Sequence, residues 1–481
     1  MARLLVLGAG ISGHTAALVA RRRLPAAHRV AVVSPLETYN WIPSNIWVGV
    51  GVMAPSEVLV PLRPVYEKTG VDFVQGRAVE LRPDGSAEDP APHVVVETPD
   101  GGRRREPYDY LINATGPKLN FAATPGLGPS GFSHSVCTSG HAADAARGFL
   151  ECVERLKRGE RQTLVVGMGH GTCTCEGAAF EYVFNVEFEL RRHGVRDKAR
   201  LVFLTNEAEL GDFGVDGLRF RQGGYVVHSR FFAESLFAER GVERIVGAHV
   251  REVQKGRLRY STLDGGEGEL AFDFAMLLPP FTGVGLKAAA RDGRDLTAEL
   301  FAPSGFMKVD ADYAPKDWAD WRAGDWPRTY ASPSRPNLFA VGIAFAPPHA
   351  ISRPRRAPDG TPISPAPPRT GMPSAIIGRA AALNAADLML GRADRPRRTA
   401  SMAELGAACV ASAGAGWWSG TAASMTMYPI VPDYERYPEF GRDLDRTFGE
   451  IGSAGHWIKQ ILHRMFLYKA RAKPGWWLIP E

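Results

Sequence analysis

Arg3-Leu4-Leu5-Val6-Leu7-Gly8-Ala9-Gly10-Ile11-Ser12-Gly13 opens the chain, and its reading decides the fold. A short apolar strand runs into Gly8-x-Gly10-x-x-Gly13 and then into a helical stretch from His14 to Arg23. Strand, tight turn and helix in that order let the backbone approach a pyrophosphate, while the helix start offers free N–H groups and positive dipole. The next strand, Arg29-Val30-Ala31-Val32-Val33, ends in Ser34-Pro35, so the usual ribose-binding carboxylate is missing there and Glu37 is its candidate substitute. A second unit of this kind starts at Gln162-Thr163-Leu164-Val165-Val166-Gly167-Met168-Gly169-His170-Gly171. Its helix is expected from about Gly177 to Arg192, with the following strand at Ala199–Leu204. The fold class expected is therefore α/β with two Rossmann-like dinucleotide-binding domains.

Two later segments favour FAD over NAD at the first unit. Tyr110-Leu111-Ile112-Asn113-Ala114-Thr115-Gly116 reads as a strand ending in a common flavoprotein element. Asn337-Leu338-Phe339-Ala340-Val341-Gly342 resembles the strand that ends near the flavin ribityl chain, although Ile343 stands where an Asp is usual. Gly8, Gly10, Gly13, Ser34, Thr115, Gly116 and Gly342 are accordingly candidate cofactor contacts. The second turn instead carries Cys173-Thr174-Cys175, and its second strand ends in Thr205-Asn206. A thiol where a phosphate should sit suggests that this unit has turned from cofactor binding to chemistry. Zinc would need two more nearby ligands, and no paired Cys/His spacing provides them, so no metal site is expected. With five cysteines in the whole chain, a disulfide scaffold is excluded and a catalytic pair is favoured.

The length of 481 residues predicts two or three domains, and 45% apolar with 23% charged residues is ordinary globular composition. A net charge of +5, without basic arrays interleaved with stacking aromatics, does not argue for nucleic acid. No run approaches the apolar length of a spanning helix, and Met1-Ala2-Arg3 enters the first strand without room for a signal peptide. The tail is distinctive. From Gly455 to Pro480 there is no acidic residue, whereas Lys459, Arg464, Lys469, Arg471 and Lys473 are present. Trp457, Ile458, Ile461, Leu462, Met465 and Phe466 recur at helical spacing, with Lys459, Gln460, His463 and Arg464 on the other face, and Trp476-Trp477-Leu478-Ile479 follows. Such a helix suits a bilayer interface and a peripheral, monotopic attachment. The rival reading packs the stripe on the core or on a second subunit, so a homo-oligomer stays open.

At this point the chain resembles the sulfide:quinone oxidoreductase family, glutathione-reductase-like flavoproteins related to flavocytochrome c sulfide dehydrogenase. Tyr39-Asn40-Trp41-Ile42-Pro43-Ser44-Asn45-Ile46-Trp47-Val48 is similar to that family's aromatic–Pro–Ser segment. Ser135-Val136-Cys137-Thr138 with His141, Cys175-Glu176-Gly177-Ala178-Ala179-Phe180-Glu181-Tyr182, Pro368-Arg369-Thr370-Gly371 and Ala408-Cys409-Val410-Ala411 resemble four further family segments, in the family's order. The resemblance implies oxidation of sulfide through a Cys175/Cys409 redox pair and FAD, with a membrane quinone (ubiquinone or menaquinone) as acceptor. It implies that Cys409 lies nearer the flavin and that Cys175 carries the growing sulfur chain. Cys137 is implied in flavin attachment or sulfur handling, and Glu181 and His141 are the candidates for moving protons. Pro43, Arg369, Thr370 and Gly371 join the cofactor contacts. Arg369 replaces the family's lysine, and Asp212 stands where many relatives have a histidine; Cys173 is an additional thiol. The expected division is an FAD domain at 1–120 and 305–400, a second Rossmann-like domain at 121–304, and a C-terminal region at 401–481 with the second cysteine and the membrane and quinone contact. Arg353–Pro368 reads as an exposed loop. The rivals are a type II NADH:quinone oxidoreductase, a flavocytochrome sulfide dehydrogenase subunit, and a non-catalytic redox sensor.

Overall fold

The structure is a computed structural model and describes residues 1–174 and 176–481; Cys175, the expected sulfur-carrying cysteine, lies outside the described residues. Five parallel strands build the first sheet, in the order Leu338–Ala340, Tyr110–Asn113, Arg3–Leu7, Arg29–Ser34, Asp72–Gln75. Leu5 sits between Ala31 and Leu111 in register. Leu4, Val6, Val32, Ile112 and Phe339 are fully buried or nearly so, as expected of a parallel sheet covered on both faces. Helix Ile11–Arg23 starts three residues earlier than the sequence reading placed it, directly at the glycine turn. It packs along helix Gly371–Met389, where Gly378 lets the backbone of Ser12 come close enough that a Cβ would collide with it.

A second sheet repeats the scheme in the middle of the chain: Glu243–Ile245, Ala199–Leu204, Gln162–Met168 and Phe274–Leu278, all parallel. Helix Glu176–Arg192 follows its first strand. Cys152, within helix Ser139–Lys157, is buried packing, as its helical position suggested.

The third sheet draws on two distant parts of the chain. Strands Ala407–Ala413, Thr421–Met427 and Phe448–Gly452 are extended by the hairpin Arg219–Gln222 and Tyr225–His228. The tail helix Ser453–Ala470 lies against this sheet. Trp457, Ile458 and Ile461 are exposed, while Lys459, Gln460 and His463 are buried. Lys459, Gln460 and His463 thus face the protein while Trp457, Ile458 and Ile461 face out, the reverse of a water-facing helix on a soluble domain; farther along, Phe466 is buried and Arg464 exposed. Trp418, Tyr225, Val226, Phe448 and Ile451 extend the exposed apolar surface. No helix among the described residues is long and apolar enough to cross a membrane.

Candidate redox and cofactor site

The first glycine turn is tight and leaves its helix start open. Gly8 has φ +96°, and a Cβ there would collide with the carbonyl oxygen of Ala114. Gly10 caps helix Ile11–Arg23 with no side-chain hydrogen bond, no acidic residue occupies the first turn, and a Cβ on Gly10 would meet nothing within 4 Å. Gly13 packs on Gly8, closing the turn. Thr370 caps helix Gly371–Met389 equally bare of side-chain bonds. The two helix starts converge: a Cβ on Gly371 would lie 3.3 Å from Ile11 Cδ1 and 3.7 Å from Pro43 Cγ. Two uncapped N-termini leave several backbone donors open to one shared space, which suits an anionic, carbonyl-bearing cofactor. Gly116 borders open space, Gly342 presses on Ser12, and Thr115 turns its hydroxyl onto Asn113 Oδ1 at 2.8 Å. Ser34 is engaged with the backbone of Leu36.

Arg369 sits behind this space. Its guanidinium donates to the carbonyls of Ile343 and Phe345 at 2.7 and 2.8 Å and stacks 4.4 Å from the Phe306 ring. Burial without a carboxylate partner pulls it down to about 9, and its Nε has no partner among the described residues. An uncompensated buried cation of this kind fits a group that becomes anionic on reduction, and FAD meets that requirement.

Around Cys409 the chain makes a knot. Strand Ala407–Ala413 lies on helix Glu176–Arg192, and a Cβ on Gly177 would stand 3.2 Å from Cys409 Sγ. The cysteine of the third sheet thus meets the first turn of the helix that directly follows Cys175. Glu181, one turn on, accepts from Ser412 N at 3.1 Å, Ser412 Oγ at 2.5 Å and Lys459 Nζ at 2.9 Å. Trp47 Nε1 donates to the same Ser412 hydroxyl at 3.0 Å, and Asn185 Nδ2 donates to Ser412 O at 2.6 Å. Burial and then the Glu181 carboxylate push the Cys409 thiol up to about 11, while the Lys459 ammonium pulls against them. Trp47, Ser412 and Lys459 escaped the sequence reading. Lys459 belongs by periodicity to the polar face of the tail, and no local pattern ties it to a carboxylate 278 positions away.

Cys137 lies just before helix Ser139–Lys157, and its backbone N–H donates to Ser135 Oγ at 3.2 Å. Burial raises its thiol to about 11, with the Ser135 hydroxyl opposing. The aromatic–Pro–Ser segment holds this stretch, since Asn45 Nδ2 donates to Val136 O and Ser139 N donates to Asn40 Oδ1. His141 is half-buried on the first turn of the same helix, edge-on to Phe121; burial lowers its pKa, and Asp144 opposes the shift. It is not in the Glu181 knot. Cys173 is fully buried and its thiol donates to Leu278 O at 3.0 Å, so burial holds it far from the reactive thiolate.

The second glycine turn is filled by protein. Arg353–Pro368, read as an exposed loop, folds back as a strap: Ser364 N donates to Gly171 O at 2.8 Å and Ala366 N to Cys173 O at 3.0 Å. Ile363 is fully buried, although Arg353–Arg356 stay exposed. A Cβ on Gly171 would run into Pro362 O and His249. Three carboxyls collect nearby. Glu176 and Glu207 are buried and Asp212 is partly so; desolvation raises all three, Glu207 to about 8 and Asp212 to about 6. Carboxyls thus stand at the helix start and beyond the strand end, where a pyrophosphate would otherwise meet open backbone donors.

No family model matches the chain. Sulfide-quinone reductase of Aquifex aeolicus (strain VF5) is 26% identical over 471 residues, 97% of this chain and 90% of that protein. The crystal structure of the sulfide:quinone oxidoreductase from Aquifex aeolicus superposes with a TM-score of 0.75 at 25% identity, covering 98% of this chain and 92% of the other. NDH2 from Plasmodium falciparum in complex with NADH shares the fold alone, with a TM-score of 0.51 at 14% identity, covering 72% of this chain and 64% of that one. In sequence and in structure, over nearly its whole length, the chain is homologous to the sulfide:quinone oxidoreductase of Aquifex aeolicus.

Proposed function

We propose that the protein oxidises sulfide to polysulfide or zero-valent sulfur through Cys175 and Cys409 and passes the electrons by way of FAD to a membrane quinone. The observation that carries this reading is the meeting of Cys409 Sγ with the first turn of the helix that Cys175 precedes. HS⁻ is a soft nucleophile and attacks a disulfide sulfur readily. Attack on a Cys175–Cys409 disulfide breaks the S–S bond and leaves a persulfide on one cysteine and a thiolate on the other. Lys459 is placed to steady negative charge at Cys409, and Glu181 holds Lys459 there. FAD, when bound, supplies a two-electron acceptor that a quinone reoxidises. Gly8, Gly10, Gly13, Thr115 and Gly116 would hold its nucleotide half, Gly342 its ribityl chain, and Pro43, Arg369, Thr370 and Gly371 its ring. His141 and Cys137 stand outside the knot and would serve proton or sulfur traffic from the neighbouring helix start.

The filled second turn weighs against a type II NADH:quinone oxidoreductase, because NADH would have to displace the 353–368 strap. The outward apolar stripe of the tail supports lipid contact, which a quinone in the bilayer requires. Anaerobic stopped-flow absorbance decides between the readings. Sulfide is expected to bleach the flavin rapidly and a quinone analogue to restore it; bleaching by NADH alone would overturn the proposal.

A further inference from the structure

We infer that the protein carries a headgroup site for an anionic phospholipid, set in a cleft between the tail helix and the Gly414–Ser419 loop; this rests on the lipid contact proposed above. The cleft has a volume of about 570 Å³, and its walls include Trp417, His463, Arg464, Tyr468, Arg471 and Lys473. Its charge is lopsided. Two other tail lysines are committed to carboxylates, Lys459 to Glu181 and Lys469 to Glu481, but Arg464, Arg471 and Lys473 have no ion pair among the described residues. Arg464 donates only to Gln460 and lies 4.4 Å over the Trp417 ring; the Lys473 ammonium lies 5.4 Å over that of Tyr468. Glu57, the one acidic lining residue, is already accepting from Ala54 N at 2.8 Å. His463 bonds Ser44 Oγ at 2.8 Å, and burial lowers it to about 4, so it adds no charge at neutral pH.

Three cations facing one engaged carboxylate call for an anion, and the rim says which kind. Trp457 Nε1 donates to Trp417 O at 2.9 Å, the Trp418 and Trp457 rings meet edge to face, and Trp418 is 91% exposed. Ile458 and Ile461 continue that apolar surface along the helix. A phosphate in the cleft would therefore have acyl chains laid over tryptophan and isoleucine, which free phosphate lacks and a protein partner has no reason to match.

The test uses the full-length, flavin-loaded protein in co-sedimentation with vesicles of phosphatidylcholine alone or mixed with phosphatidylglycerol. Wild-type protein is expected to bind both, the anionic vesicles about tenfold more tightly or better. Arg464→Gln/Arg471→Gln/Lys473→Gln together should abolish that preference while binding to neutral vesicles and flavin content stay unchanged. Lys255→Gln/Arg259→Gln/Arg294→Gln, which removes exposed cations elsewhere, should keep most of it. Equal loss in both triple variants would overturn the site in favour of diffuse attraction. Abolition of the preference by millimolar inorganic phosphate, but not by chloride of equal ionic strength, would assign the cleft to free phosphate instead. Failure of the wild type to bind either vesicle would overturn the lipid contact itself and the site with it.

Discussion

The two glycine-rich turns share a strand–turn–helix plan and differ in what fills them. At the first, Gly10 faces open space, the helix start is bare of acid, and a second uncapped helix start joins it. At the second, Pro362 O and His249 crowd Gly171, the strap of 353–368 takes the backbone acceptors, and Glu176 puts a buried carboxyl at the helix start. On the proposed function, the same local geometry serves a nucleotide where it is left open and thiol chemistry where protein fills it. Motif spacing alone does not separate these outcomes; what lies opposite the turn does.

The comparison breaks first at the cysteines. Cys175→Ser and Cys409→Ser are each expected to slow sulfide-driven bleaching of the flavin by about a hundredfold or more, with flavin still bound. Wild-type rates in both variants would return the second turn to the status of a disused nucleotide site. Next, Gly8→Ala should lower the flavin content of the purified protein several-fold, since its left-handed backbone and the Ala114 carbonyl leave no room for a methyl group, a strain of about 1–3 kcal/mol. Gly171→Ala should leave flavin content untouched; equal loss in both would mean that the turns share one ligand.

Two smaller effects sharpen the contrast. Glu207 is raised to about 8 by burial and then by Asp212, so the folded protein holds a proton that the unfolded chain releases above its ordinary carboxylate range. Stability should accordingly fall as pH rises from about 5 to 8. Glu207→Gln should raise the thermal midpoint at pH 8 by about 2–4 °C and change it less at pH 5; an equal change at both would remove the titration from the explanation. Smallest of all, Glu181→Gln removes the carboxylate that raises Cys409. The alkylation rate of Cys409 at pH 8 in the reduced protein should rise about a few-fold. A fall would show that losing the anchor of Lys459 matters more.

Both α/β units were legible because a glycine turn between an apolar strand and a helix is a local signal, and the observed helix Glu176–Arg192 lies within one residue of its expected start. The outward stripe of Trp457, Ile458 and Ile461 was legible too, as periodicity. The burial of its polar counterpart was not, because it depends for Lys459 on Glu181, contributed by helix Glu176–Arg192 far off in the chain. The strap failed for the same reason: proline- and arginine-rich composition describes a loop's solvation, not the carbonyls of Gly171 and Cys173 that it covers. The hairpin 219–228 joins the tail sheet through a single parallel pairing of Arg221 with Phe448, which no local pattern announces.

His14, buried on the first helix, bonds Tyr66 OH and Ala470 O at 2.9 Å each, and Phe466 stacks 4.5 Å from Trp41. The tail helix is therefore stitched to the first glycine-turn helix and its surroundings. Cutting it away to obtain a detergent-free protein would uncover the back of helix Ile11–Arg23 and the socket of Trp476. Solubility is better sought by repainting the outer face, with Trp457, Ile458 and Ile461 changed to polar residues and the inner stitches kept. Those three positions are the handles by which this chain becomes a bench reagent without ceasing to be an enzyme.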